Sequence, residues 1–241
     1  MAYFNNFPQV LYRFGNAEEP VAFEVLNTYV DLLNNTQDGV KMYEKYTIQP
    51  GERADTLSYR LYGTTEFYWT FFWVNDKLRE SGWPVDYQTL YDLSKTYYPN
   101  RVFVTETDIS NGLFTIGATV TGSQSGTTGK IVEVNLDLGQ VVVDTQDNFT
   151  VGETVNTGTG GNVETCIVLK ESTQFEAVHH YNNTDGEYVD IDPHNQVTTG
   201  FIPVTFLDRL TDRNTELSEI DILTEDTLRQ VIAQFRQLVK E

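Results

Sequence analysis

The hydrophobic and polar positions after the first forty residues predict a strand followed by two helices. Residues 43–49 alternate between apolar and polar side chains, and Pro50-Gly51 ends this run with a turn signal. Asp55 is a suitable N-cap for a helix that ends at Gly63. A second helix follows directly and runs to about Asn75. Because it is apolar on nearly every side, we expect it to be buried.

Other segments have less regular patterns. Residues 1–20 are rich in aromatic side chains without a helical or strand period, and residues 21–33 fit either a strand or a helix. Asp86 can cap a helix that extends to about Lys95. Residues 183–186, flanked by tyrosines, predict a hairpin turn.

The C-terminal part of the chain predicts a short strand and a capped helix. The charged run from Asp208 to Glu219 indicates a solvated connector or an extended arm, and residues 220–223 fit a strand. Thr224 is a suitable N-cap, with Asp226 in the first turn. Two hypotheses stay open for the apolar stripe of this helix, which packs either on its own domain or on a partner. The stripe consists of Leu228, Ile232, Phe235 and either Val239 or Leu238, and its first three residues are the candidate interface.

The same two hypotheses apply to the aromatic side chains near the N-terminus. Exposed aromatic residues on an irregular segment are unfavourable unless something covers them, and the cover is either the same domain or a partner. These candidate interface residues are Tyr3, Phe4, Phe7, Tyr12 and Phe14.

Residues 103–172 contain an internal repeat. The segment 114–120 matches the segment 149–155 at an offset of 35 residues, and Ile131 matches Cys166 at the same offset. Short runs rich in Val, Ile and Thr alternate with glycine-rich turns. This pattern predicts a small β-sandwich or barrel in which the two copies form one pseudo-symmetric unit.

The charge of the chain is strongly negative and lies mostly in the middle. The 241 residues carry a net charge of −19, and residues 103–207 contain 14 acidic but only 2 basic side chains. This disfavours nucleic acids and anionic membranes as partners. No apolar run approaches the roughly 20 residues of a membrane span. The N-terminus lacks a signal-peptide pattern, and Cys166 is the single cysteine, so we expect synthesis in a reducing cytoplasm.

The candidates for enzymatic or metal chemistry are weak. Adjacent strand residues point to opposite faces, so His179 and His180 are not expected to share one ion. The acidic segment 185–192 lacks EF-hand spacing, and the glycine-rich segment 122–129 lacks a Walker lysine and a following helix. Cys166 resembles a small core hydrophobe. We therefore expect no catalytic residue, no cofactor and no metal.

Four short motifs, in this order, together resemble the LysM module, a strand–helix–helix–strand unit of about 50 residues. They are Tyr46–Glu52, Asp55–Leu57, Leu61–Gly63 and Trp73–Asn75. LysM modules often bind N-acetylglucosamine polymers through the loop after the first strand. The resemblance places that candidate glycan loop at Gln49, Pro50, Gly51, Glu52 and Asp55.

The wider sequence resembles the LysM-containing baseplate wedge subunit of contractile-tailed bacteriophages. The resemblance covers about residues 1–102 and 173–241, with residues 103–172 as an insertion. It rests on Tyr3–Pro8, Leu61–Gly63, Glu66–Asn75, Trp83-Pro84 and Val178–Tyr181. The family implies a virion structural protein without catalytic activity. Such a protein clamps neighbouring wedges in a six-fold symmetric baseplate, and its partners are other wedge and hub proteins.

We therefore expect an α+β protein whose small LysM-like core carries helical or extended arms and an inserted all-β module. The expected parts are an N-terminal aromatic arm with a helix or strand (1–45), a LysM-like domain (46–102), a glycine-rich β module (103–172) and a C-terminal region with a hairpin, an extended arm and a terminal helix (173–241). The leading hypothesis is a non-enzymatic subunit of the tail baseplate, assembled in the host cytoplasm, with neither nucleic acid nor membrane as a partner. The runner-up is a module that recognises N-acetylglucosamine polymers of the bacterial cell wall. A third hypothesis, a cell-wall hydrolase, lacks a recognisable catalytic domain.

Overall fold

A computed structural model of the chain describes residues 9–12, 20–24, 42–105, 109, 112, 114–159, 162–189 and 200–238. The protein is α+β and divides into two compact units, one formed by residues 1–85 with 214–241 and the other by residues 86–213. Within the described residues, no helix combines the length and the apolar character needed to cross a membrane.

The elements follow the chain in this order. The strands are β1 (Gln9–Tyr12), β2 (Val21–Glu24), β3 (Tyr43–Thr47), β4 (Arg101–Thr105), β5 (Thr119–Gly122), β6 (Thr128–Asn135), β7 (Gln140–Asp144), β8 (Thr154–Thr159), β9 (Asn162–Thr173), β10 (Val178–Asn182), β11 (Tyr188–Val189), β12 (Ile202–Thr205) and β13 (Glu219–Leu223). The helices are α1 (Ala54–Tyr62), α2 (Trp69–Val74), α3 (Asp76–Ser81), α4 (Tyr87–Tyr97), α5 (Phe206–Ser218) and α6 (Glu225–Leu238).

The first unit is held together by the antiparallel pairing of β3 with β13. The ladder runs from Tyr43 opposite Leu223 to Thr47 opposite Glu219. Helices α1, α2 and α3 each contribute one fully buried side chain to the core that packs with this sheet. The buried residues of that core are Ile48, Leu57, Phe71, Leu78, Leu217, Ile220 and Ile222.

The predicted helices of this unit are partly correct. Gly63 ends α1 as expected, because it adopts a positive φ of 72° and donates its N–H to the carbonyl of Tyr59. Asp55 is not the N-cap, since α1 begins at Ala54. The second predicted helix is interrupted: a 3-10 turn at Thr65–Phe67 precedes α2, and α3 is a separate helix.

The segment expected to be a connector or extended arm is the helix α5. Its start is a reciprocal cap: the Asp208 N–H donates to the Thr205 hydroxyl at 3.0 Å, and the Thr205 N–H donates to the Asp208 carboxylate at 2.9 Å. At two other helices, the caps that the sequence predicted are confirmed. The Asp86 carboxylate accepts the N–H of Thr89 at the start of α4, and Thr224 precedes α6.

The second unit contains a closed barrel with the strand order β4-β7-β6-β5-β8-β9. Every neighbouring pair is antiparallel. The interior is filled by branched and aromatic side chains, as expected for a small barrel. Its buried residues are Phe103, Ile109, Phe114, Val120, Ile131, Val141, Val143, Phe149, Val155, Cys166 and Val168.

The two repeat copies are related by a pseudo-two-fold arrangement across β5 and β8. Val120 lies opposite Thr157, and Gly122 lies opposite Val155. At the repeat offset of 35 residues, Val120 is equivalent to Val155 and Gly122 to Thr157, so the pseudo-two-fold rotation exchanges the two pairs. The turn before each of these strands is also the same. The N–H of Ala118 donates to the carbonyl of Thr115, and the N–H of Glu153 donates to that of Thr150, each at 3.0 Å.

Further along the chain the two copies differ by two residues. The N–H of Ile131 donates to the carbonyl of Ala118, whereas the N–H of Val168 donates to that of Glu153. Ile131 therefore corresponds to Val168, and the predicted match with Cys166 is wrong. The physical reason is the length of the two hairpins: Val155 lies opposite Cys166 in the β8–β9 hairpin, whereas its equivalent Val120 lies opposite Gly129 in the β5–β6 hairpin, so the β8–β9 hairpin contains two more residues.

Glu153 is a fully buried carboxylate that fastens two turns of the barrel. It accepts backbone N–H groups of Gln124 at 2.8 Å, Ser125 at 2.9 Å and Thr150 at 2.6 Å, together with the Ser125 hydroxyl at 2.8 Å. Burial alone raises the pKa of Glu153, but these hydrogen bonds outweigh it and leave the pKa below its ordinary value. The equivalent residue of the other copy is Ala118, so the repeat is asymmetric at this point.

Beside the barrel, β10 pairs with β11 and β12 in a three-stranded sheet of the same unit. The predicted hairpin turn is confirmed, because the N–H of Asn183 donates to the carbonyl of Glu187 between β10 and β11. The buried Gln140 of β7 donates its side-chain amide to the carbonyl of Val178 at 2.8 Å, which anchors β10 to the barrel.

We predict that Glu153→Gln destabilises the barrel by about 3 kcal/mol at neutral pH. The amide keeps one oxygen acceptor but replaces the other with an NH2 donor, so some of the donors that faced the carboxylate lose their acceptor. The lowered pKa means that the carboxylate stabilises the fold fully above its ordinary pKa of 4.5 and loses this effect as the pH falls through the folded-state value. Hydrogen exchange of the β5 and β8 amides measures the difference. Glu133→Gln, an exposed position of β6, is the control. Equal stability of Glu153→Gln and the wild type at pH 7 would contradict this role.

Candidate functional site

The loop after β3 is shaped by one carboxylate. The Glu52 side chain is only 8% exposed and pairs with the Arg60 guanidinium at 2.8 Å. It also accepts the Tyr46 hydroxyl at 2.9 Å and the N–H of Gln49 at 3.2 Å. Burial raises the pKa of Tyr46 most, and the hydrogen bond to Glu52 raises it further. Of the predicted glycan loop, Glu52 therefore has a structural role, and its carboxylate is already occupied within the chain.

A pocket of about 390 Å³ opens next to this loop. Aromatic side chains and the start of α1 form its walls. The lining residues are Arg53, Ala54, Asp55, Tyr68, Phe72 and Trp83. All six belong to the first unit.

Trp83 is held in the pocket wall by a hydrogen bond and two ring contacts. Its indole Nε1–H donates to the carbonyl of Glu52 at 2.7 Å. Its ring packs against Phe72 and Phe71, with centroids 5.7 Å and 5.9 Å away. Because the hydrogen bond and both ring contacts act on one side chain, the loop and the aromatic wall are positioned together.

The polar side of the pocket is an ion pair between neighbours in the chain. The Arg53 guanidinium contacts both carboxylate oxygens of Asp55, at 3.0 Å and 3.1 Å. The hydrogen bonds from Arg53 are the main cause that holds the pKa of Asp55 below its ordinary value. Asp55 is therefore ionised at neutral pH and able to accept hydrogen bonds from a ligand.

This arrangement can hold a ligand with one apolar face and several hydroxyl groups. Aromatic rings cover the apolar face, while Arg53 and Asp55 offer a donor and an acceptor. Of the predicted loop residues, only Asp55 lines the pocket, and Gln49, Pro50 and Gly51 are exposed outside its lining. Sequence reasoning missed Arg53 and the three aromatic residues. The spacing of Tyr68 and Phe72, four residues apart, was the available signal for the latter.

The N-terminal candidate interface is described only in part. Tyr3, Phe4, Phe7 and Phe14 lie outside the described residues. Tyr12 ends β1, which forms an antiparallel hairpin with β2. Four apolar side chains of this hairpin are 49% to 68% exposed: Val10, Leu11, Tyr12 and Val21.

The C-terminal candidate interface is corrected by the structure. Leu228, Ile232 and Phe235 are buried in the first unit, and the rings of Phe235 and Trp69 lie 5.0 Å apart between centroids. The stripe of α6 therefore packs on its own domain, which was the first of the two hypotheses, and not on a partner. The three side chains are already covered by their own unit and are not open to a partner.

The described residues include no group of three or more His, Cys, Asp and Glu side chains arranged to hold a metal ion. Burial raises the pKa of the Cys166 thiol to about 12, which keeps the thiol protonated at neutral pH. The chain matches no known protein-family model, and no curated protein is significantly similar to it in sequence.

Proposed function

We propose that this protein is a structural, non-enzymatic subunit of a contractile phage tail baseplate that acts through protein–protein contacts. The observation that carries the proposal is the exposed apolar hairpin of β1 and β2. The resemblance of Tyr3–Pro8 and Glu66–Asn75 to the baseplate wedge subunit supports the assembly in which the contact is made.

The hairpin has the properties of a surface that a partner covers. Four of its apolar side chains are about half exposed or more, so a surface that covers them stabilises the hairpin. Aromatic residues such as Tyr12 are enriched at protein interfaces. In a baseplate, the partners are the neighbouring wedge and hub proteins of a six-fold symmetric assembly.

The acidic surface supports the same role. A net charge of −19 keeps a free subunit soluble before assembly and repels the phosphates of nucleic acids. The LysM-like segment then serves as a packing scaffold, and the strand-rich residues 103–172 are an insertion that offers additional surface.

We predict that Leu11→Asp reduces incorporation of the protein into phage particles, because a charge is buried at the contact without a partner. The measurement is the amount of the variant in purified particles, relative to another tail protein. Ile202→Asp, which changes a similarly exposed apolar side chain in β12, is the matched control and is expected to incorporate normally. Normal incorporation of Leu11→Asp would argue against the hairpin as a contact.

A second candidate function, recognition of cell-wall glycans, is favoured by the pocket beside the β3–α1 loop. The apolar face of a pyranose ring fits against Trp83 and Phe72, and its hydroxyl groups reach Arg53 and Asp55. In the leading proposal the same aromatic wall has only a packing role.

The two candidates differ in a pelleting assay with purified peptidoglycan. The structural proposal predicts no saturable pelleting of the wild-type protein. Saturable pelleting that is lost in Trp83→Ala would establish the glycan-binding function, because that change removes the wall of the pocket. Tyr59→Ala, which truncates an exposed aromatic side chain of α1 outside the pocket lining, is the control.

A further inference from the structure

The β1–β2 hairpin carries apolar side chains on both of its faces. Successive residues of a strand point to opposite faces, and residues paired across an antiparallel ladder point to the same face. Val10 and Tyr12 therefore share one face with Val21, which lies opposite Tyr12. Leu11 shares the other face with Ala22, its partner in the ladder. We refer to these as the tyrosine face and the leucine face.

Among the described side chains of the hairpin, neither face is buried. Val10, Leu11 and Tyr12 follow one another in β1 and are 51%, 68% and 55% exposed. In the barrel, the residues of β5 alternate between exposed and buried, because one face of that strand lines the core. A hairpin packed on a core by one face would show the same alternation. Three consecutive exposed residues therefore mean that both faces are exposed.

The two strands of the hairpin are also nearly free of charge. Glu24 is the single charged residue among the eight residues of β1 and β2, in a chain with 35 acidic and 16 basic residues. Strands at a sheet edge commonly carry a lysine or a proline, as Lys45 does in β3 and Pro203 does in β12. Neither residue type occurs in β1 or β2. An uncharged, apolar wall is thus the chemistry that matches each face.

We propose that the hairpin inserts into an uncharged, apolar cleft of another baseplate subunit, whose two walls cover the tyrosine face and the leucine face. This inference rests on the proposed function and specifies the shape of the contact. A flat partner surface covers only one face and leaves the apolar side chains of the other face exposed. Only a partner with two walls covers all the exposed apolar side chains of the hairpin.

A second copy of this chain does not provide such a cleft through its own hairpin. Stacking one hairpin on another covers one face of each and leaves the opposite faces exposed. Two copies also carry a net charge of −19 each, so their surfaces repel one another. We therefore assign the cleft to a different protein of the baseplate.

Thiol accessibility in phage particles tests the two faces separately. Val10→Cys reports on the tyrosine face and Leu11→Cys on the leucine face, and each replaces an exposed side chain by a small one. Both introduced thiols are expected to react with a maleimide in the free full-length protein and to lose this reactivity in purified particles. The buried Cys166, the single native cysteine, gives the background in the wild type. Particles unfolded in denaturant give the total thiol content of each sample.

A second measurement replaces the thiol by a charge. Val10→Asp places a carboxylate against one wall of the cleft, as Leu11→Asp does against the other, and both are expected to reduce incorporation into particles. Ile202→Asp is again the control. Normal incorporation of either hairpin variant would overturn the cleft, because the substituted face would then lie outside the contact.

The outcomes separate this inference from the proposed function. Protection of only one thiol in particles would overturn the cleft and leave a flat contact in a baseplate subunit. Reactivity of both thiols in particles would also overturn it, since the hairpin would then be uncovered in the assembly. Protection in the free protein would identify this chain itself as the cover and overturn the assignment to another subunit. Absence of the wild-type protein from particles would contradict the proposed function, and the inference with it.

Discussion

The pairing of β3 with β13 is the contact on which the first unit depends. It joins residues far apart in the chain: Lys45 and Asp221, which form an exposed ion pair on adjacent strands, are separated by 176 positions. The buried side chain of Asn75 reinforces the pairing from the end of α2. Its amide group donates to the carbonyl of Asp221 at 2.8 Å and accepts the N–H of the same residue at 2.9 Å. One side chain thus bonds to β13 as a neighbouring strand would.

Closing so long a loop costs conformational entropy, which grows slowly with loop length. The cost is reduced because residues 86–213 form a compact unit of their own and do not remain a flexible loop. Within that unit, the barrel encloses its own hydrophobic core. We infer that the second unit folds on its own strand pairings, and that the first unit depends on bringing its two chain segments together.

The sequence predicted the features that depend on neighbouring residues. The strand at β3, the end of α1 at Gly63 and the cap of α4 at Asp86 follow from local turn and capping chemistry. Helix α5 was missed although Thr205 and Asp208 form a recognisable capping pair, because its charged composition indicated a solvated arm.

Other features depend on contacts that a single sequence does not contain. Strand β10 has a bulge at His179, which interrupts the expected alternation of His179 and His180 and arises from the register between β10 and β12. The two-residue shift in the repeat arises because the β8–β9 hairpin is two residues longer than the β5–β6 hairpin. For the same reason, the predicted glycan loop includes only one of the residues that line the pocket. Asp55 lies in the predicted loop, whereas Tyr68, Phe72 and Trp83 join it through tertiary packing.

The structure changes which surfaces are candidates for assembly. The stripe of α6 is packed against aromatic residues of its own unit, while four apolar side chains of the β1–β2 hairpin are exposed. Of the two candidate interfaces, the N-terminal one therefore remains, and the β1–β2 hairpin is its described part. The pocket beside Trp83 is compatible with a packing scaffold and with a glycan site, and its aromatic wall is formed by the same contacts in either case.

Quantitative mass spectrometry of purified phage particles tests the central claim most directly. A structural subunit of the baseplate is expected in every preparation at a copy number that is a multiple of six per particle. Its absence from particles in which the other tail proteins are detected would contradict the proposed role.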